Sequence, residues 1–258
     1  MKITITADDY GWSPDSVDAT SACLLDGSIN NASLMTGAPA FEQALAFAKT
    51  HPQFCYGIHL TLAGRGQLKP AASRSKVGTL LDSDGRLGSL QRFRALALLG
   101  QIDPQQIEAE ISAQIALARD AGILIDYVDS HHHVHKLPVV TEALNRVLPK
   151  FGIDRVRCVQ NFYVKPAYSK PTYWFGKFQD RKLRERWKTT DWFYMPATLL
   201  ETDWQEALLQ RLTPNTMEVG AHPGTAEDWR KTEFDDIRTF SHLARAARHE
   251  LVSWVDVI

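Results

Sequence analysis

Two periods of hydrophobicity alternate along the chain and predict strands that are followed by helices. Residues 2–7 alternate isoleucine with threonine, which predicts a first strand that ends at an acidic pair. Ser13-Pro14 comes next and predicts a helix, with the serine as N-cap and the proline in the first turn. That helix should run to about residue 26 and stop at Gly27.

The strand–helix order repeats through the rest of the chain. The apolar run Ile123–Ile125, followed by Tyr127 and Val128, predicts a buried strand that ends at Asp129. Further strand patterns occupy residues 31–36, 56–62, 155–159, 217–221 and 251–257, and helical patterns occupy residues 39–49, 104–122, 138–152, 202–212 and 235–249.

This alternation predicts an α/β fold, a distorted (β/α) TIM-like barrel with about seven parallel strands. No repeat or linker divides the sequence, so we expect a single domain over residues 1–258. Residues 63–88 are rich in Gly, Ser, Lys and Arg and have no clear periodicity. We interpret them as a loop on the substrate side, with a disordered insertion as the alternative.

Composition narrows the classes of partner and the compartment. The formal net charge is −1, so no basic excess favours a nucleic-acid or anionic-membrane partner. The N-terminus has no signal-peptide pattern and no stretch is long enough to span a membrane, which together predict a cytoplasmic protein. The three cysteines are scattered, which indicates neither a disulfide framework nor a thiolate zinc site.

Residues 160–195 form an aromatic and basic insertion that the strand–helix pattern does not explain. Aromatic rings and arginines suit RNA, but we favour an insertion helix with a solvated basic face and an aromatic underside. That underside would serve as a sugar platform or as a contact between two copies in a homodimer.

Polar groups lie at the ends of four predicted strands, namely Asp8-Asp9, His59 within the run 56–62, the cluster His131–His135, and His222. In a parallel barrel these strand ends open on one face. One carboxylate and two imidazoles suit a divalent metal and leave positions open for water and substrate. A second carboxylate can accept a proton from the bound water, and a histidine can protonate a leaving group.

These residues resemble the motifs of the YdjC-like carbohydrate deacetylases. The resemblance spans nearly the whole chain, and Asp-Ser-His-x-His-x-His is its most specific motif. The matching stretches are Ala7-Asp8-Asp9-Tyr10-Gly11, Gly57-Ile58-His59-Leu60, Asp129-Ser130-His131-His132-His133-Val134-His135 and His222-Pro223-Gly224.

The resemblance implies metal-dependent removal of acetyl from an N-acetylated sugar, such as a chitooligosaccharide or a glycolipid. By motif position, Asp9, His59 and His131 would hold the metal. Asp8 would be the general base, and His222 the general acid or the group that steadies developing charge.

The same resemblance gives His133 and His135 roles beside the ligands or the substrate, and it leaves His133 open as a rival to His131. It implies one divalent cation, for which Mg²⁺ and Zn²⁺ lead and manganese, cobalt and nickel remain candidates. Tyr10 stands where the family commonly has phenylalanine. Residues 160–195 match no family pattern, which leaves the substrate open.

Two other functions remain open from the sequence. A hydrolase acting on a different amide, ester or phosphoester would use the same ligands. A non-catalytic member would bind sugar or metal without turnover.

Overall fold

One parallel sheet holds the seven strands of the described chain. Its strands are β1 (Lys2–Tyr10), β2 (Asn31–Leu34), β3 (Cys55–Leu60), β4 (Tyr127–Ser130), β5 (Trp192–Tyr194), β6 (Thr216–Ala221) and β7 (Glu250–Leu251). Their order is β4-β3-β2-β1-β6-β5, and β7 pairs with the first residues of β1. The long strand β1 therefore lies at the centre, where both of its edges are paired.

Nine helices surround this sheet in the part of the chain that the computed structural model describes. The helices are α1 (Pro14–Asp26), α2 (Phe41–Thr50), α3 (Leu90–Leu98), α4 (Pro104–Asp120), α5 (Pro138–Val147), α6 (Pro171–Arg186), α7 (Trp204–Leu209), α8 (Asp228–Ala246) and α9 (Trp254–Val257). The described residues are 1–64, 68–158, 160–163, 171–196, 203–211 and 215–258.

The two ends of the sheet approach each other through irregular residues, 154–158 and 160–162. The amide of Arg157 donates to Val128 of β4 at 3.0 Å. On the other side, the amide of Asn161 donates to Phe193 of β5 at 3.3 Å. The sheet is thus curled into a distorted barrel, which confirms the predicted fold class.

Local signals place the helix ends well. A reciprocal pair of hydrogen bonds between Ser13 and Ser16 caps α1, and Gly27 ends it in the left-handed conformation with φ 77°. Asp103 caps α4 by accepting from the amide of Gln105 at 2.9 Å. These three ends lie where the sequence predicts them, because short polar side chains and glycine satisfy the unpaired groups of helix ends locally.

The apolar run Ile123–Ile125 is not part of a strand, contrary to the prediction. Leu124 is 70% exposed, and β4 begins only at Tyr127. The run instead connects α4 to β4, with Ile123 and Ile125 packed into the core. The alternation of buried and exposed residues is typical of a strand, but these three residues pair with no strand of the described chain.

The chain's end also departs from prediction, since the strand-like run 251–257 contains only Leu251 of β7. From Trp254 onward the chain forms α9. The indole of Trp254 lies inside the barrel, stacked on Tyr127 with ring centroids 5.1 Å apart. Pairing with β1 ends at Leu251, three residues before this buried ring.

Other boundaries differ more modestly. The strand predicted over 155–159 is reduced to isolated bridges at Arg155 and Val156, with residue 159 outside the described chain. The predicted helix 235–249 begins earlier, at Asp228, while α3 and β5 were not predicted. Residues 202 and 212 of the predicted helix 202–212 also lie outside the described residues, and α7 occupies its middle.

The inside of the barrel is polar, whereas its outside packs against the helices. Ile3 and Ile5 of β1 belong to the apolar core, and Thr4 and Thr6 alternate with them. Trp254 donates to Thr6 at 3.3 Å and so occupies the end of the barrel opposite the strands' carboxyl ends. All three cysteines are buried and unpaired. None of the described helices has the length and apolar character needed to cross a bilayer.

Candidate active site

Two adjacent carboxylates at the end of β1 line the same cavity. Successive strand residues point to opposite faces, so a regular strand would separate Asp8 from Asp9. Asp9 instead adopts a left-handed backbone, φ 57°, at a register shift between Ala7 and Tyr10. This irregularity directs both side chains to the carboxyl end of the barrel, and both are almost fully buried.

A cavity of about 490 Å³ opens at this end of the barrel. Residues from several strand ends and from α8 line it: Asp8, Asp9, Trp12, His59, Ser130, His131, His132, His133, Met195, His222, Trp229 and Arg230. The structure therefore brings together the acidic pair and the histidines that the sequence places at four strand ends, apart from His135.

Asp9, His59 and His131 form a tight triangle at one wall of the cavity. Oδ1 of Asp9 lies 3.3 Å from Nε2 of His59 and 3.0 Å from Nδ1 of His131. Burial raises the pKa of Asp9, but the neighbouring imidazoles of His131 and His59 lower it well below its usual range. The aspartate is thus held as an anion with two imidazole nitrogens directed at the same oxygen.

Asp129 orients His59 from behind. Its Oδ1 lies 2.8 Å from Nδ1 of His59, and its Oδ2 accepts from the hydroxyl of Ser33 at 2.7 Å. A carboxylate behind one imidazole nitrogen fixes the ring and directs the other nitrogen outward, as in many metal-binding histidines. Burial lowers the pKa of His59, but Asp129 and Asp8 outweigh it and raise the pKa to about 10.

Arg157 lies beneath the acidic pair and was not anticipated from the sequence. It is fully buried and donates to both oxygens of Asp8, at 2.7 Å each. The same guanidinium reaches Asp129 at 2.8 Å and Glu218 at 2.7 Å. Burial raises the pKa of Asp8, but the charge of Arg157 more than offsets this, and the net shift is downward.

Glu218 joins this buried group from β6. Burial raises the pKa of Glu218 despite the charge of Arg157, which favours its protonated form. Its Oε2 has no hydrogen-bond partner among the described residues. One arginine therefore contacts three buried carboxyl groups, those of Asp8, Asp129 and Glu218.

His222 lies across the cavity with Glu233 behind it. Nδ1 of His222 is 3.1 Å from Oε2 of Glu233, which also accepts from the backbone amide of His222 at 2.6 Å. Burial lowers the pKa of His222, but Glu233, Asp9 and Asp8 outweigh burial and raise it. This arrangement favours a protonated imidazole whose Nε2 is the nitrogen available to the cavity.

The histidine cluster after β4 divides into different environments. His132 and His133 both have left-handed backbones, at φ 56° and 53°, which turns the chain sharply after His131. His133 lines the cavity, and its buried Nδ1 has no hydrogen-bond partner among the described residues. Burial and the charge of Lys136 hold the pKa of His133 well below its usual range, so its ring is neutral.

His135 does not line the cavity. It is fully buried, with Nδ1 2.6 Å from the hydroxyl of Ser130. Burial, reinforced by the charge of Arg157, lowers the pKa of His135 to about 3. This location fits support of the turn that carries the cluster better than contact with substrate.

Arg230 and two tryptophans complete the cavity wall. Nη2 of Arg230 donates to Oδ2 of Asp9 at 2.8 Å, and its guanidinium lies 4.4 Å from the ring centre of Trp229. Trp12 stacks on His131 with ring centroids 5.9 Å apart. The arginine holds one oxygen of Asp9, so the other oxygen alone faces the two histidines.

Two groups of side chains place their donor atoms close enough together to hold a metal, in the part of the chain that the structure describes. Asp9, His59 and His131 form one group, and Asp8, His59 and Asp129 form the other. In the second group, Arg157 already contacts both carboxylates and would repel a cation. The first group offers one oxygen and two nitrogens, with further positions open, and so fits a divalent metal.

A family model described as "YdjC-like protein" matches residues 2–253. The chain belongs to this family. Proteins named carbohydrate deacetylase are among its relatives: one from Listeria monocytogenes (serotype 4a, strain HCC23) is 32% identical over 155 residues, and one from Brevibacillus brevis is 30% identical over 153 residues. These matches cover 60% and 59% of this chain, and the chain spans only 60% and 58% of the two relatives' lengths.

A solved structure supports the fold over nearly the whole chain. The crystal structure of a putative cellobiose-phosphate cleavage protein from Enterococcus faecalis superposes with a TM-score of 0.78. It covers 98% of this chain and 97% of its own, at 20% sequence identity. This similarity indicates a shared fold.

Proposed function

We propose that the protein is a metal-dependent carbohydrate deacetylase that hydrolyses the acetamide of an N-acetylated sugar and releases acetate. One observation carries the proposal. Asp9, His59 and His131 converge beside Asp8, with His222 on the same cavity, in a member of the YdjC-like family. The names of the related proteins support a carbohydrate as the substrate.

Asp9, His59 and His131 would hold the cation, with Mg²⁺ and Zn²⁺ as the first candidates. When bound, such a cation polarises a carbonyl and acidifies a water molecule. Asp129 fixes the ring of His59, and Arg230 restrains Asp9 so that one oxygen faces the site. The protein's contribution is therefore a ligand set that is oriented in advance.

Asp8 would accept the proton of the attacking water. Its lowered pKa keeps it ionised at neutral pH, and each oxygen keeps a lone pair beyond its bond to Arg157. His222 would then protonate the leaving amine, a role that suits its raised pKa. The acid and the base have partners of opposite charge. Glu233 favours the protonated form of His222, and Arg157 favours the ionised form of Asp8.

The cavity walls favour a sugar over a small acyl amide. The indoles of Trp12 and Trp229 present flat apolar surfaces beside the polar centre. Pyranose rings have one face of C–H groups that packs on such surfaces, while their hydroxyls suit the polar groups around them. We therefore place the sugar ring against these indoles, with its acetamide directed toward Asp9.

The test is acetate release from N-acetylglucosamine oligomers. We expect release that a chelator abolishes and a divalent metal restores. Asp8→Asn should lower kcat by at least about 10²-fold, the range of a lost general base, while metal binding by calorimetry persists. Asp126→Asn, which changes a carboxylate outside the cavity, is the matched control and should retain activity.

Four outcomes would contradict parts of the proposal. Turnover that survives the chelator would exclude the metal. Full activity in Asp8→Asn would exclude that residue as the base. The substrate class would be rejected if the protein released no acetate from oligomers or acetylated glycolipids but hydrolysed another amide, ester or phosphoester. Sugar binding without any turnover would indicate a non-catalytic member.

A further inference from the structure

Helix α6 presents large aromatic side chains to solvent. Trp174 is 64% exposed, Phe178 56% and Phe175 44%. The sequence-based expectation of an aromatic underside is therefore wrong for these three rings. Exposed aromatic groups of this size on a single helix indicate a binding surface, whereas isolated exposed apolar residues do not.

Basic residues share that exposed face. Lys177, Arg181, Lys182 and Arg186 are all exposed, and Glu185 is the one acidic residue among them in α6. The net charge of −1 for the whole chain conceals this local positive patch. We call these three aromatic and four basic side chains the α6 outer face.

The basic side chains and the aromatic rings of this helix lie next to each other. The ammonium of Lys182 lies 4.8 Å from the ring centre of Phe178, and that of Lys177 lies 5.9 Å from the ring centre of Tyr173. A purely apolar partner would leave these ammonium groups without compensation. The partner of this surface must therefore provide both an apolar region for the aromatic rings and anionic groups for the ammonium groups.

The opposite side of α6 anchors it to the barrel. Leu183 is fully buried, Gln179 is nearly so, and Arg184 donates to the carbonyl of Asp191, just before β5, at 2.7 Å. Helix α6 also contacts the turn of residues 131–136, which carries the histidine cluster. The fold thus holds the outer face in a fixed orientation beside the structure that supports the cavity.

We propose that the α6 outer face binds the surface of an anionic lipid bilayer. Helices of this kind lie in the membrane interface with aromatic side chains among the acyl chains and lysine or arginine at the headgroups. Clusters of four or more basic residues on such a helix are attracted to anionic lipids. A convex helix offers no groove that would follow a nucleic-acid strand, and a second copy would bring four basic residues against four others.

Vesicle sedimentation with the 258-residue chain tests this proposal. Vesicles of phosphatidylcholine with about one-third phosphatidylglycerol should bind the protein at least tenfold better than phosphatidylcholine alone, and binding should weaken as salt rises. Lys182→Gln should weaken binding about fivefold, the effect of one basic group at an anionic surface. Trp174→Ser and Phe178→Ser should each weaken it as well.

Leu98→Ser is the matched control, since Leu98 of α3 is 87% exposed and lies outside α6. It should bind vesicles like the wild type. Circular dichroism of each variant checks that the fold is retained.

Several results would overturn the proposal. These are no binding at low salt, equal binding to both vesicle types, or binding that the α6 substitutions leave unchanged. A dimer in light scattering that Trp174→Ser dissociates would assign the face to a second copy. Preference for RNA over vesicles at equal salt would assign it to nucleic acid. Because the assay needs no turnover, its failure and failure of the deacetylase proposal are distinguishable.

Discussion

Asp9 has a left-handed backbone, and both oxygens of its carboxylate contact charged or polar side chains. A left-handed residue other than glycine costs about 1–3 kcal/mol and persists only where its surroundings impose it. At Asp9 those surroundings are Arg230 on one oxygen and His59 with His131 on the other. The strain has a specific use, because it allows two successive residues of one strand to face the same cavity.

Glu233 should set the upper pH limit of activity. His222 must be protonated to act as the acid, and its pKa is raised, with Glu233 the leading cause that raises it. Glu233→Gln removes that charge and keeps an acceptor, so the pKa of His222 falls. We therefore expect the alkaline limb of kcat/KM to move to lower pH.

The pH profile of a matched variant separates this effect from a general change in charge. Asp228→Asn removes an exposed carboxylate at the start of the same helix and should leave the limb in place. If Glu233→Gln lowers kcat/KM equally at every pH, Glu233 only positions the ring. An unshifted alkaline limb together with unchanged activity would remove His222 from the role of acid.

At the scale of elements, strand ends were the predictable part of this molecule. The acidic pair and His222 follow apolar strand patterns, and His59 lies within one. Parallel strands deliver residues at their carboxyl ends to one edge. No such rule applies to the irregular segment that carries Arg157. The alternation of arginine with valine in this segment predicts a short strand. The partners of Arg157 are Asp8 and Glu218, which lie 149 and 61 positions away in the sequence.

A signal for the buried charges was nevertheless present. Glu218 stands between Met217 and Val219 in an otherwise apolar strand pattern, and the structure buries all three residues. A buried charge needs a partner, which predicts a cation nearby without saying which one. The choice among 29 lysines and arginines depends on the folded chain alone.

Packing between strands β3 and β4 makes Gly57 irreplaceable. A Cβ at this position would overlap the ring of Tyr127, which is buried, stacks on Trp254 and hydrogen-bonds Ser33. These contacts hold the ring in place from two sides. Gly57→Ala should therefore lower the free energy of unfolding by about 1–3 kcal/mol, measured by urea denaturation.

Gly78→Ala provides the matched comparison. A Cβ at Gly78 meets no atom within 4 Å, and its backbone is not left-handed. We expect its unfolding midpoint to remain within error of the wild type. Equal midpoints for both variants would mean that Tyr127 can move, and the tight packing of the two strands would not explain the glycine.

At the scale of the whole molecule, the barrel interior is a column of coupled polar layers. Trp254 closes the lower end and donates to Glu218, Arg157 joins Glu218 to Asp8, and the metal ligands lie above. Each layer holds the next through hydrogen bonds in a low-dielectric interior, where such bonds are strong and missing partners are costly. The stability of the fold and the protonation of the site are therefore linked.

That linkage gives a pH-dependent stabilisation by metal. In the metal-free protein the pKa of His59 is about 10, against about 6.5 in an unfolded chain. The folded state thus binds an extra proton between these values, and metal-free stability should fall as pH rises through this window. A cation bound to His59 replaces that proton, so the metal-bound form should not lose stability in this way. The affinity of the protein for the metal should rise about tenfold per pH unit.

The increase in Tm that saturating Zn²⁺ or Mg²⁺ produces should therefore be larger at pH 8.5 than at pH 6.5, while Asp9→Asn should show little increase at either pH. A metal-induced increase that is constant across this range would mean that His59 releases no proton and is not a ligand.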